Sequence, residues 1–198
     1  MGVSAMDFES RETDRRLFTR WVRATFVGWW LGFILVVVGS VLANSVGGGA
    51  QFMVGLGMGA GVGYAQGRVA RDWLGRLRPW MAASMVGMGA PFAVRDLASA
   101  IGFALPYSLT IYVVLGGILV SALQWRLLRP HFHRSGWWVP ASVAGWALPA
   151  GLVAWYDAFV GPSPFGAIVF LGMILLGGLV LGAVTGSALM WKLKRRAV

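Results

Sequence analysis

The sequence predicts an all-α membrane protein: six transmembrane helices forming three parallel-repeat helical hairpins with pseudo-threefold symmetry. Three observations carry this expectation. Of the 198 residues, 58% are hydrophobic and only 12% charged, against about 25% charged in soluble domains. A four-residue pattern recurs three times, as Trp21, Ala24, Thr25, Gly28, then Trp80, Ala83, Ser84, Gly87, then Trp138, Ala141, Ser142, Gly145, at intervals of 59 and 58 residues. Such a fixed period marks a chain built from copies of one unit. Finally, sixteen of the seventeen basic residues fall in four short segments that alternate with long charge-free runs.

The N-terminal segment 1–20 carries Asp7, Glu9, Arg11, Glu12, Asp14, Arg15 and Arg16. It lacks the charged, apolar and cleavage-site order of a secretory leader and reads as a cytoplasmic tail or interfacial helix. The first charge-free run, 24–67, is long enough for two spans of roughly 20 residues. Those spans are Trp21–Leu42 and Ala50–Gln66, folded at the turn-forming stretch 44–49 (Asn-Ser-Val-Gly-Gly-Gly). The third span, Trp80–Ser99, contains Pro91 and meets Arg95 and Asp96, so a short or kinked helix is expected there. The remaining spans are Tyr107–Trp125, Trp137–Trp155 and Phe165–Trp191, followed by a basic tail, 192–198. The transmembrane domain is therefore 21–191, with repeats 21–78, 79–136 and 137–195.

Charge placement sets the topology. Arg11, Arg15, Arg16, Arg20 and Arg23 precede the first span; Arg68, Arg71, Arg76 and Arg78 separate the second and third. Arg126, Arg129 and Arg134 separate the fourth and fifth, Lys192, Lys194, Arg195 and Arg196 follow the sixth, and Arg95 is the exception. By the positive-inside rule both termini are cytoplasmic. The net charge of +10 then points to anionic inner-leaflet lipid at the basic loops and not to nucleic acid. The expected location is a bacterial cytoplasmic (inner) membrane, with partner membrane subunits as further possible contacts.

The small motif residues Ala24, Thr25, Gly28, Ala83, Ser84, Gly87, Ala141, Ser142 and Gly145 share helix faces. Such faces let backbones approach closely and let hydroxyls bond across helix pairs. Gly55, Gly59 and Gly63, and likewise Gly178, Gly182 and Gly186, form comparable ridges. Trp21, Trp80, Trp137 and Trp138 open odd-numbered spans and Trp125 and Trp191 close even ones, as in an interfacial aromatic belt. Trp29, Trp30, Trp146 and Trp155 lie deeper and are candidates for packing, lipid contact or a ligand cavity.

Polar groups within spans are the candidate functional residues, because an unpaired polar group in hydrocarbon is costly. Gln66 and Gln124 occupy matching places near the ends of the second and fourth spans, where the sequence match puts Met190 in the sixth. They are read either as interhelical hydrogen-bonding groups or as ligand or path residues. Arg95 and Asp96 form either a helix end or, with Asp157, a gate or clamp. His131 and His133 are flanked by arginines, which disfavours a bound cation. The Met81, Met85, Met88 stripe reads as adaptable packing, although thioethers also suit Cu(I). No span holds a histidine for haem ligation or a lysine for a Schiff base, and no catalytic motif is visible. No cofactor, metal site or enzymatic activity is expected.

The segment 121–129 (Ser-Ala-Leu-Gln-Trp-Arg-Leu-Leu-Arg), followed by 136–146 (Gly-Trp-Trp-Val-Pro-Ala-Ser-Val-Ala-Gly-Trp), resembles a group of uncharacterised bacterial multi-pass membrane proteins with repeated Gln-Trp, Trp-Trp and Gly-Trp hairpin segments. The resemblance implies a six-span bacterial membrane protein and assigns no site. The expected function is a non-enzymatic scaffold or accessory subunit of a membrane assembly. The alternatives are a carrier or channel for a small or lipophilic solute and a lipid- or pigment-binding module. A carrier requires a wet axial cavity lined by Gln66, Gln124, Arg95 and Asp157; a scaffold requires a filled axis; a lipid or pigment binder requires an apolar crevice.

Overall fold

The computed structural model describes residues 5–45, 50–106, 108–160 and 164–191. Regular structure among them is helical: α1 (Ala5–Ser45), α2 (Phe52–Leu74), α3 (Arg78–Ala100), α4 (Leu109–Leu128), a 3₁₀ turn (Ser135–Trp137), α5 (Trp138–Phe159) and α6 (Pro164–Trp191). Each helix packs on its neighbours in sequence and α6 packs on α1, so the helices close into a ring.

Four stretches are long and apolar enough to cross a membrane: Glu12–Ser45, Leu109–Leu128, Ser135–Phe159 and Gly166–Met190. Glycines with Gln66, Arg68, Arg71 and Asp72 dilute α2, and Pro91, Arg95 and Asp96 dilute α3. Two helices extend beyond the expected spans. Residues 5–20 continue the first span as helix, since α1 runs unbroken from Ala5. Exposed i,i+4 pairing of Glu12 with Arg16 supports this stretch, and Arg20 reaches Asp72 on α2 at 3.1 Å. Helix α2 continues beyond Gln66 to Leu74, where Gly75, at φ 67°, caps it by donating to the Arg71 carbonyl at 2.9 Å. The extension buries Val69 and Ala70. Expectations for the turn at 46–49, the start of the fourth span at Tyr107 and the tail 192–198 lie outside the described residues.

The alternating glycines of α2 serve two faces at once. Gly55, Gly59 and Gly63 meet α3, where a Cβ on Gly63 would stand 2.5 Å from the Ser84 Cβ; Gly57 and Gly61 meet α1, where a Cβ on Gly57 would stand 2.8 Å from the Val36 nitrogen. Each set repeats every four residues or so along one helix face, which is why the combined run has a period of two. Glycine weakens an isolated helix by about 1 kcal/mol relative to alanine, but here it permits backbone contact on both sides. The motif glycines close all three hairpins in the same way. A Cβ on Gly28 would lie 2.7 Å from the Ala65 Cβ on α2, one on Gly87 2.6 Å from the Val120 nitrogen on α4, and one on Gly145 2.8 Å from Leu181 Cδ1 on α6. Gly178, Gly182 and Gly186 bring α6 against Phe26, Val22 and Phe18 of α1.

Candidate functional site

Trp21, Trp80 and Trp138 are not interfacial anchors. All three are fully buried and pack against one another in a closed triangle, with ring centroids 5.9, 5.8 and 5.5 Å apart and interplanar angles of 85°, 85° and 65°. These edge-to-face contacts suit the aromatic quadrupole. The cause lies at Gln66 and Gln124: a buried indole N–H needs an acceptor, and each carboxamide supplies one inside the ring. Trp80 donates to Gln66 Oε1 at 3.4 Å, and Gln66 Nε2 donates to Thr25 Oγ1 at 3.1 Å. Trp138 donates to Gln124 Oε1 at 3.1 Å, and Gln124 Nε2 donates to Ser84 Oγ at 3.0 Å. Each carboxamide thus links the odd helix of its own hairpin to the next hairpin. The Thr25 and Ser84 hydroxyls donate back to the Trp21 and Trp80 carbonyls, each at 2.9 Å.

The third indole corrects the sequence register. Trp21 donates to Thr185 Oγ1 at 2.9 Å, and Thr185 in turn donates to the Leu181 carbonyl at 2.6 Å. Thr185 therefore takes the place assigned to Met190, which packs, partly buried, against the apolar cluster around the tryptophan triangle. Buried neighbours follow the same register: Ala70, Leu128 and Leu189 lie four residues after Gln66, Gln124 and Thr185, and Val62, Val120 and Leu181 four residues before them. Ser142, the third motif hydroxyl residue, is also buried.

Eight residues beyond each motif tryptophan, a second layer forms from Trp29, Met88 and Trp146, all buried in one cluster. The Trp29 and Trp146 rings lie 5.8 Å apart at 32°, and Trp29 donates to the Ile174 carbonyl at 2.7 Å. This layer was missed in the sequence because it is not uniform in residue type. Its signal is positional: each member directly follows a motif glycine. The two layers are separated by about 12 Å along the helices.

Beyond the second layer the ring opens into a cavity of 310 Å³, to which all six helices contribute. Trp29, Met88 and Trp146 floor it, and among the described residues the walls are apolar apart from Thr110, whose hydroxyl donates to the Ala150 carbonyl at 3.1 Å. Its walls run from Trp29 to Val36 on α1 and from Trp146 to Val153 on α5, a depth of about 10 Å. None of Gln66, Gln124, Arg95, Asp96 or Asp157 lines it.

Arg95 and Asp96 lie at the far end of α3, 3.6 Å apart. Asp96 has a structural use: its Oδ2 accepts from the Phe52 N–H at 2.7 Å. Phe52 opens α2, and Gln51 before it makes no side-chain cap, so Asp96 caps from a neighbouring helix an N–H that α2 itself leaves unpaired. Asp157 is exposed on α5, and the ion pairs among the described residues do not join it to Arg95. His131 and His133 are exposed, and no cluster of three metal-ligating His, Cys, Asp or Glu side chains occurs among the described residues. Trp30, Trp137 and Trp155 face outward, 36%, 52% and 52% exposed, as an apolar surface in lipid allows.

Fold and site together define an all-helical protein with four helices suited to crossing a membrane. No family model, no curated protein and no solved structure matches the chain.

Proposed function

We propose that the chain is a six-span protein of a bacterial cytoplasmic membrane, built from three hairpins about a pseudo-threefold axis, with both termini cytoplasmic. It serves as a non-enzymatic scaffold or accessory subunit and conducts no polar solute. The observation that carries this reading is the closure of the axis below the cavity, where the tryptophan triangle and the Trp29, Met88, Trp146 layer lie in succession. The amides proposed as a polar path are engaged by indoles and hydroxyls within the ring. Helices α2 and α3 have 23 residues each, about 34 Å, and their glycine faces turn toward protein, so they can span beside the more apolar helices. Large apolar side chains such as Leu42, Leu97 and Ile168 are 62%, 65% and 71% exposed, a surface for lipid or partner helices.

The chain has no cysteine, so single-cysteine labelling tests the arrangement cleanly. A membrane-impermeant maleimide applied to intact cells should label Ala104→Cys and Asp157→Cys, and should reach Gly75→Cys and Gly136→Cys only after permeabilisation. Proteoliposomes should be tight to small polar solutes, with and without Gln66→Leu and Gln124→Leu. Solute flux above that of empty vesicles that disappears in the double variant would overturn the scaffold reading in favour of a carrier.

A further inference from the structure

The geometry points to a function for the cavity: we propose that it binds one hydrocarbon chain of an amphiphile, inserted end-first, with the headgroup left at the mouth. A void of 310 Å³ is poorly stabilised by water, because water needs two to four polar partners and Thr110 is the one hydroxyl or charged side chain among the described lining residues. Left empty, it forfeits dispersion contacts along its whole wall. The volume lies at the bottom of the range of about 300–1,000 Å³ for ligand pockets, which suits a single chain and excludes a large ring system. The floor is apolar and closed: the Trp29 N–H is held by the Ile174 carbonyl, and Met88 is buried beside it. A headgroup therefore finds no partner at the bottom, and only the chain end can occupy it.

The void has a local cause. Twelve residues after the motif tryptophan, α1 has Phe33 and α3 has Phe92, whereas α5 has Ala150. Phe92 is fully buried, and Phe33 and Ala150 line the cavity. One aromatic ring is missing from an otherwise filled level, and the chain occupies its place. This site does not depend on the protein being a scaffold or a carrier, since none of the polar path residues touches it.

Photolabelling tests the proposal with two probes: a medium-chain fatty acid carrying a terminal diazirine, and a phosphatidylglycerol with the same diazirine on one chain, in vesicles containing the full-length protein. Adducts are expected on peptides containing Trp29, Met88 or Trp146. Labelling by the fatty acid alone identifies a free amphiphile as the source of the chain, and labelling by the phospholipid identifies a bilayer lipid; either supports the site. Ala150→Phe should lower adduct yield at the floor by about tenfold or more, because it occupies space the chain needs. Val113→Phe, from α4, should do the same and carries the test if Ala150→Phe does not fold. Val86→Phe, on a surface position 59% exposed, should leave the yield unchanged. Adducts confined to outward residues such as Leu97 and Ile111, or floor adducts insensitive to both filling variants, would overturn the proposal.

Discussion

Replacing Gln124 by methionine isolates the energetic role of the buried amides. Methionine nearly conserves volume, so the cavity and overpacking terms stay small, and the change acts on two hydrogen bonds of 3.0 and 3.1 Å. Ser84 keeps its bond to the Trp80 carbonyl and loses only a donor. The Trp138 N–H, fully buried, loses its acceptor, which costs about 1–3 kcal/mol. With about 0.6 kcal/mol for an average interhelical bond in a membrane protein, the expected loss is about 2 kcal/mol. The Trp80 to Gln66 bond is longer, 3.4 Å, so Gln66→Met should cost less, about 1 kcal/mol. Reversible unfolding in mixed micelles measures both. Trp138→Phe completes a double-mutant cycle with Gln124→Met, where a coupling of about 1 kcal/mol is expected because both partners of one bond are then absent. A Gln124→Met loss below about 0.5 kcal/mol, with coupling near zero, would refute the claim that the amide holds the indole.

Three further outcomes follow from the packing. Gly61→Ala places a Cβ on the backbone of Gly32 and Gly28, so α1 and α2 must separate; thermal unfolding should register about 1–3 kcal/mol, whereas Gly136→Ala, with nothing within 4 Å, should be close to neutral. Asp96→Ala removes the acceptor of the Phe52 N–H and should cost about 1 kcal/mol, seen locally as faster amide exchange at the start of α2. Arg20→Ala breaks a 3.1 Å ion pair whose side chains are 60% and 45% exposed, so its effect on unfolding should stay below about 0.5 kcal/mol.

The helices were legible because charge-free runs and interrupting basic segments report directly on length and polarity. Predicted and observed limits of the fifth and sixth helices agree within a few residues. The end of α2 was not legible, since Arg68 and Arg71 look like a loop until Val69 and Ala70 are seen to be buried between them. The site was only half legible. Gln66 and Gln124 stood out as amides in apolar sequence, but their acceptor role was hidden because tryptophan at a helix start is equally compatible with an interface. Composition cannot tell a tryptophan facing lipid from one facing an axis; the partner atom decides. Thr185 escaped notice because the local match of Ser187-Ala188-Leu189-Met190-Trp191 to Ser121-Ala122-Leu123-Gln124-Trp125 is stronger than the signal from one hydroxyl.

Exchanging glutamine for threonine at the third junction has a geometric consequence. Gln66 and Gln124 each reach two helices with one side chain, accepting from the following hairpin and donating within their own. Thr185 is shorter and bonds its own helix as well as Trp21, so the α1 and α6 seam relies on closer backbone approach. Gly177, Gly178, Gly182 and Gly186 supply that approach, and Trp29 adds a second bond to Ile174. Continued outward at the same four-residue spacing, the ridge positions are Ile174 and Phe170, large side chains in place of glycine. Glycine-mediated backbone contact thus gives way to large side chains at the level where the cavity begins, and Phe170, Met173 and Ile174 of α6 line that cavity together with Phe33 and Val36 of α1.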